Sequence, residues 1–350
     1  MRASFHRVLP TALFILALSV TWSLVQPAYG VSDEPAHVIK ALATTKPGVD
    51  SFQTRGEFRH YAVRYRLPMT YSQIGSWKCY SDYLDTVPTC SQFLLKDGRD
   101  VWISSTAGEY PPLYYALVGW AGWISQGPVG LLLMRLLTGL IVTVLFFAAM
   151  LLLDVHEYEL GTLAVFLCST PTVLAFSGSV NPYAPEVAAA TLFWASALVS
   201  LRKCTAHSLL ASCCLFVSAF LFGLFRPGSF VWIGMILFLV TLCSFPPIDG
   251  DRNRVTSQGY LLAGGIGLSL SYAWFRLGMP RNYRNLGGAI SGVGGSLVSN
   301  MRFSFERTDD YLRQIFGYFG WTNFFAPVIS PLGFISIVTV IWIRMQPSRH

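Results

Sequence analysis

Long apolar runs separated by short polar breaks set the pattern of this chain. After a start carrying Arg2, His6 and Arg7, an apolar run covers 8–25, and others follow at 129–153, 160–179, 186–201, 208–225, 229–245, 259–277 and 324–343. Each is close to the roughly 20 residues that a helix needs to cross a bilayer core. The breaks are Asn181-Pro182, Arg226-Pro227-Gly228 and Pro246-Pro247, all helix-ending or turn-forming. The pattern predicts an all-α polytopic membrane protein with about eight transmembrane helices. The segment 111–126 is a ninth candidate: as a helix it reaches about 24 Å against a core of about 30 Å. It either crosses as a short helix or lies in the interface.

Composition supports a lipid-embedded chain. Only 12% of the 350 residues are charged, against roughly a quarter in soluble domains, and 53% are hydrophobic, more than a soluble fold of this size covers. Of the 43 charges, 18 fall in 29–110, so one large polar loop interrupts an otherwise quiet chain. Net charge is +7, yet no Lys/Arg run of five exists, which argues against nucleic acid and for basic flanks of membrane helices. Ala28-Tyr29-Gly30 offers small residues for signal cleavage, but the preceding run exceeds the roughly 7–15 residues of a signal core, so it reads as an uncleaved helix. If 111–126 does not cross, Arg202-Lys203, Arg252, Arg254, Arg344 and Arg349 share the cytoplasm with Arg2 and Arg7. Arg281, Arg284, Arg302, Arg307 and Arg313 are then outside.

This organisation divides the chain into a first transmembrane helix (1–28) and an extracytoplasmic loop with juxtamembrane helices (29–128). A six-helix transmembrane bundle (129–277), a second extracytoplasmic loop (278–325) and a last helix with a cytoplasmic tail (326–350) follow. The N-terminus is cytoplasmic and the protein a multi-pass component of the cell membrane.

The densest polar constellation follows the first helix: Ser32-Asp33-Glu34-Pro35-Ala36-His37. Ser32 or Asp33 is placed to cap a helix whose first turn tolerates Pro35. On that helix His37 is four residues from Asp33 and three from Glu34, so two carboxylates and an imidazole are held together; a capped, solvated juxtamembrane helix explains the same residues without chemistry. Arg135, inside an apolar run, either snorkels to the interface or pairs with a carboxylate in the bundle. Glu186 suits a helix start, and Asp154, His156, Glu157 and Glu159 read as a solvated acidic turn. Cys79 and Cys90 share the polar loop as a disulfide candidate, whereas the other five cysteines read as small core residues. No P-loop, H-E-x-x-H or G-x-S-x-G signature is present. No metal-ligand spacing is recognised, and a divalent-metal requirement is left open.

These motifs resemble the bacterial membrane family DUF2142. The likeness rests on Ser32 to His37, on Tyr110-Pro111-Pro112-Leu113-Tyr114-Tyr115, on Arg135, on Ser177-Gly178-Ser179-Val180-Asn181-Pro182 and on Phe316-Gly317-Tyr318-Phe319-Gly320-Trp321, in that order. Family members usually continue with more membrane helices, so the chain resembles a shortened version. The family is similar in its first half to C-type glycosyltransferases, which use lipid-phosphate-linked sugars. The resemblance implies a GT-C-like N-terminal module with Asp33 as general base and Glu34 beside it. A second acidic residue commonly precedes a proline at a later helix end in those enzymes; Asn181 stands there instead.

For transfer from a polyprenyl phosphate, the expected substrate-binding residues are His37, Tyr110, Tyr114, Tyr115, Asn181, Arg226, Arg281, Arg284 and Trp321, with Trp77 as a further stacking aromatic. Arginines suit the leaving phosphate and aromatics the sugar faces, although the same residue types also form interfacial belts and contact lipid headgroups. The expected donor is a lipid-linked sugar and the acceptor an envelope glycan or protein, with membrane lipid as the remaining partner. The alternatives are a transporter or flippase and a non-catalytic component of envelope assembly. Spanning segments with essentially only Arg135 away from their ends favour the enzyme over a coupled transporter.

Overall fold

The computed structural model describes residues 2–55, 61–71, 99–200, 208–243, 254–278, 297–308, 314–315, 318–319 and 324–325. The protein is mostly helical with a small sheet. Helix α1 (Arg2–Val25) and helix α2 (Glu34–Thr45) are followed by strands β1 (Ser51–Arg55), β2 (Tyr61–Pro68) and β3 (Asp100–Ser105). Two short helices come next, α3 (Pro112–Gly119) and α4 (Ala121–Ile124), then the long α5 (Pro128–Val155). The rest comprises α6 (Gly161–Cys168), α7 (Pro171–Ser177), α8 (Tyr183–Ser200), α9 (Ser208–Phe225), α10 (Ser229–Cys243), α11 (Arg254–Ala273) and α12 (Leu297–Glu306). Strands β4 (Tyr318–Phe319) and β5 (Phe324–Phe325) pair antiparallel in a separate sheet.

Among the described residues, α1 and α5 are long and apolar enough to cross a membrane, and α9 and α10 contain shorter apolar stretches. Helix α1 buries Ser4, Val8, Ala12, Ile15, Ser19 and Ser23, spaced by three or four, against α5 and α7. Phe5, Leu13, Phe14 and Leu24 face outward. Small residues inward and large apolar ones outward is the arrangement expected of a helix packed in lipid, where close approach holds helices together. At Gly178 an added Cβ would lie 2.6 Å from Trp22 Cβ and 2.7 Å from the Ser23 nitrogen. The α5–α8–α9–α11 succession of contacts builds the remainder of the bundle.

Several expectations are corrected. The fold is not all-α, because β1, β2 and β3 form an antiparallel sheet in the order β1-β2-β3. The physical reason is alternation: Val63, Tyr65 and Leu67 are buried while Arg64 and Arg66 are exposed, a period of two. The run 160–179 is two helices, since Pro171 lacks an N–H and Thr170 caps the new helix by accepting from the Val173 nitrogen at 3.3 Å. The segment 111–126 is also two short helices, α3 rising only about 12 Å. Within the segment 278–325, expected as a loop, the described residues include α12 and the paired strands β4 and β5, the latter taking up Phe324 and Phe325 from the start of the last apolar run. Around the acidic turn, Asp154 pairs with Arg7 at 2.7 Å and His156 is buried, so that turn is only partly solvated. Cys168 and Cys213 are exposed on outward helix faces rather than in the core.

Because Gly178 lies directly against α1, Gly178→Ala is expected to overpack the α1–α7 contact and cost about 1–3 kcal/mol. Thermal unfolding of the purified protein in detergent measures it; an unchanged melting temperature would show that the contact gives way freely.

Candidate functional site

The chain leaves α1 through a tight elbow. The Gly30 nitrogen bonds the Pro27 carbonyl at 3.0 Å and the Glu34 nitrogen bonds the Val31 carbonyl at 3.2 Å. Two non-glycine residues there, Tyr29 (φ 60°) and Asp33 (φ 63°), adopt the left-handed conformation, which costs roughly 1–2 kcal/mol each. A buried ion pair is positioned to hold them. Arg135 on α5 donates through Nε to Glu34 Oε1 at 2.8 Å and through Nη2 to Oε2 at 2.6 Å. Its remaining N–H groups donate to the carbonyls of Ser23 (3.2 Å), Gln26 (2.9 Å) and Pro27 (2.8 Å), at the end of α1. Glu34 Oε1 also accepts the Val180 N–H at 3.0 Å, and Asn181 Nδ2 donates to the Ser32 carbonyl at 3.4 Å. One guanidinium thus ties together α1, α2, α5 and the α7–α8 link.

Asp33 is the opposite case. It stands at the head of α2, but its side chain caps nothing and makes no hydrogen bond or ion pair with a described residue. Its surface is exposed. The protein packed around it raises its carboxyl pKa by desolvation, and Arg226 pulls the other way.

A turn further along α2, His37 Nδ1 lies 2.8 Å from the Tyr115 hydroxyl, and its ring packs edge-on to Tyr110 at 5.4 Å and stacked on Tyr115 at 5.9 Å. Burial first, and the nearby Arg226 charge second, lower the His37 pKa to about 3, so its imidazole is neutral at pH 7. Arg226, between α9 and α10, donates to Glu186 Oε2 at 3.0 Å, while the Ser229 hydroxyl donates to Oε1 at 2.7 Å. Desolvation disfavours the Arg226 charge, but Glu186 and Tyr110 outweigh it and raise the pKa. Its guanidinium also sits 5.9 Å from the Tyr183 ring centroid.

Of the residues singled out from sequence, Asp33, His37, Tyr110, Tyr115 and Arg226 therefore meet at one place. Asn181 reaches it through Ser32, with its Oδ1 accepting the Tyr183 N–H at 3.0 Å. Glu34 turns to Arg135, and Tyr114 turns to Thr138 on α5 at 2.8 Å. Trp77, Cys79, Cys90, Arg281, Arg284 and Trp321 lie outside the described residues.

A family model described as "Predicted membrane protein (DUF2142)" matches residues 16–345. The chain belongs to the DUF2142 family. No curated protein and no solved structure matches it. In this DUF2142 member, sequence reasoning missed Lys40, which completes a stripe with Asp33 and His37 at i, i+4 and i+7. Lys40 Nζ donates to the Gly108 carbonyl at 2.8 Å; desolvation lowers its pKa and the charge of buried Glu109 opposes that shift. It also missed that Glu186 is the partner of Arg226. Helical spacing was the available signal for the first; nothing local in sequence pointed to the second.

Arg135→Gln, which leaves Glu34 buried without its cation, is expected to cost about 3–5 kcal/mol; the Arg135→Gln/Glu34→Gln double variant should recover part of that loss. Equal melting temperatures for wild type and Arg135→Gln would refute the clamp. His37 gives a pH signature. Its folded pKa is depressed, so below the ordinary histidine value of 6.5 the unfolded chain binds a proton that the folded chain refuses, until about pH 3. Stability should therefore fall on acidification through that window, by up to about 1.4 kcal/mol per pH unit. Comparing unfolding of wild type and His37→Asn from pH 7 to pH 5 isolates this contribution, and identical slopes would rule it out.

Proposed function

We propose that this membrane protein is a C-type glycosyltransferase that transfers a sugar from a polyprenyl-phosphate-linked donor to an envelope acceptor on the extracytoplasmic face. The observation that carries the reading is the exposed Asp33 carboxylate, which bonds no described residue and is held on a strained elbow with the Arg226 charge acting on it. A raised carboxylate pKa makes a stronger base, and a fixed cation nearby suits a departing phosphate.

In this proposal Asp33 takes the proton from the acceptor hydroxyl as that oxygen bonds to the sugar anomeric carbon. The bond from that carbon to the phosphate oxygen breaks, and polyprenyl phosphate leaves with the electron pair. Arg226 neutralises the phosphate, assisted by Arg281 and Arg284 from the second extracytoplasmic loop. Tyr110 borders the sugar, with Trp321 as a further stacking face, while the fully buried Tyr115 supports Tyr110 and neutral His37 from behind. Glu34 serves as the positioning residue that fixes Asp33, rather than as a second base. Eight spanning helices with a cytoplasmic N-terminus put the 29–128 loop, and hence Asp33, outside.

Asp33→Asn keeps the side-chain size and removes the base. In the native host it should reduce the glycan product by at least about 100-fold while the lipid-linked donor accumulates and protein abundance is unchanged. Envelope glycans identical to wild type at full protein abundance would overturn the assignment.

A further inference from the structure

The small sheet has two unlike faces. Its inner face carries Val63, Tyr65, Leu67, Ile103 and Ser105 against α2, with the Ser105 hydroxyl donating to the Ala36 carbonyl. Its outer face carries Phe52 and Trp102, 45% and 43% exposed, although large aromatics are normally covered in an extramembrane unit. Their rings meet across β2, centroids 4.8 Å apart at 69°. The register sets Arg64 opposite Phe52 and Arg66 opposite Trp102, so two arginines share this face with the aromatic pair. Two residues along a strand separate those arginines by roughly 7 Å. Among the described residues Arg64 donates only to the neutral Ser104 hydroxyl, at 3.1 Å, and the Arg66–Asp50 approach is a loose 3.8 Å between exposed groups. Neither charge is strongly compensated by a described residue.

We infer that this face binds an acidic glycan, a polysaccharide bearing uronate or phosphate groups. Apolar faces of sugar rings stack on the Phe52–Trp102 pair, and anionic substituents reach Arg64 and Arg66, whose planar forks match carboxylate and phosphate geometry. Charge complementarity selects an anionic chain over a neutral one. Layering favours a soluble ligand over lipid headgroups: α2 separates the sheet from α3, and α3 packs on α5 and α9 of the bundle that the bilayer surrounds. The outer face looks away from all of these. Binding here stands independently of the transferase reading, because it uses none of the residues near Asp33.

The test uses the full chain purified in uncharged detergent, titrated with a galacturonic acid oligomer and with maltohexaose while tryptophan fluorescence and calorimetric heat are followed. The acidic oligomer should bind at least about tenfold more tightly than the neutral one and weaken between about 50 and 500 mM salt. Trp102→Ala and the double variant Arg64→Gln/Arg66→Gln remove different atoms of one exposed face, so both should fold, as circular dichroism checks, and each should weaken binding about tenfold or more. No binding, equal affinity for both oligomers, or affinity unchanged in both variants would overturn the inference. So would capture of phosphatidylglycerol vesicles through this face without oligomer binding, which would make it a membrane-docking face instead.

Discussion

The buried Glu34–Arg135 pair is the interaction on which the rest of the described structure depends. Lipid tails are as apolar as leucine, so packing alone gives membrane helices little reason to choose one register. A guanidinium in such surroundings is costly unless each N–H has an acceptor. Arg135 meets that demand with five bonds, two to Glu34 and three to carbonyls at the end of α1. Only one arrangement of α1, α2 and α5 satisfies all five together. The pair therefore fixes geometry more than it adds stability, the role for which buried ionic groups are best attested.

That fixed point separates two adjacent carboxylates. Glu34 is drawn into the bundle and fully engaged, while Asp33, one residue earlier, is left in a left-handed conformation with its carboxylate outside. The strain at Asp33 and Tyr29 persists because the elbow is bound on both sides, to Arg135 and through Ser32 to Asn181. Around the exposed carboxylate the protein gathers groups from separate parts of the chain: His37 from α2, Tyr110 and Tyr115 from the approach to α3 and from α3 itself, Arg226 from the α9–α10 turn. Glu186 and Ser229 hold the arginine in turn. The result is a polar site, tied together by side chains from distant parts of the chain, set on a membrane bundle.

Much of this was legible, and where it was not the reason is physical. The stretches that became α1, α5, α9 and α10 announced themselves by apolar length. The break at Pro171 carried its own signal in a missing N–H and a preceding Thr170, yet overall hydrophobicity masked it. The alternation Val63-Arg64-Tyr65-Arg66-Leu67 marked β2, but in so apolar a chain a five-residue run of period two is easily passed over. Arg135 offered two outcomes, the interface or a carboxylate, and local sequence does not rank them, because the choice turns on whether an acid 101 residues earlier arrives beside it.

The sequence by itself determined the membrane character, the family, the placement of a polar loop after the first helix and the concentration of chemistry-bearing residues around Asp33. All of these follow from composition and from short-range order, which every residue carries with it. Only the tertiary structure decided which of Asp33 and Glu34 pairs with Arg135, that Arg226 answers to Glu186, and that one outer sheet face carries both the aromatics and the arginines. Those outcomes depend on desolvation and on pairing between residues distant in the chain, and such terms acquire values only when the fold has brought the groups together.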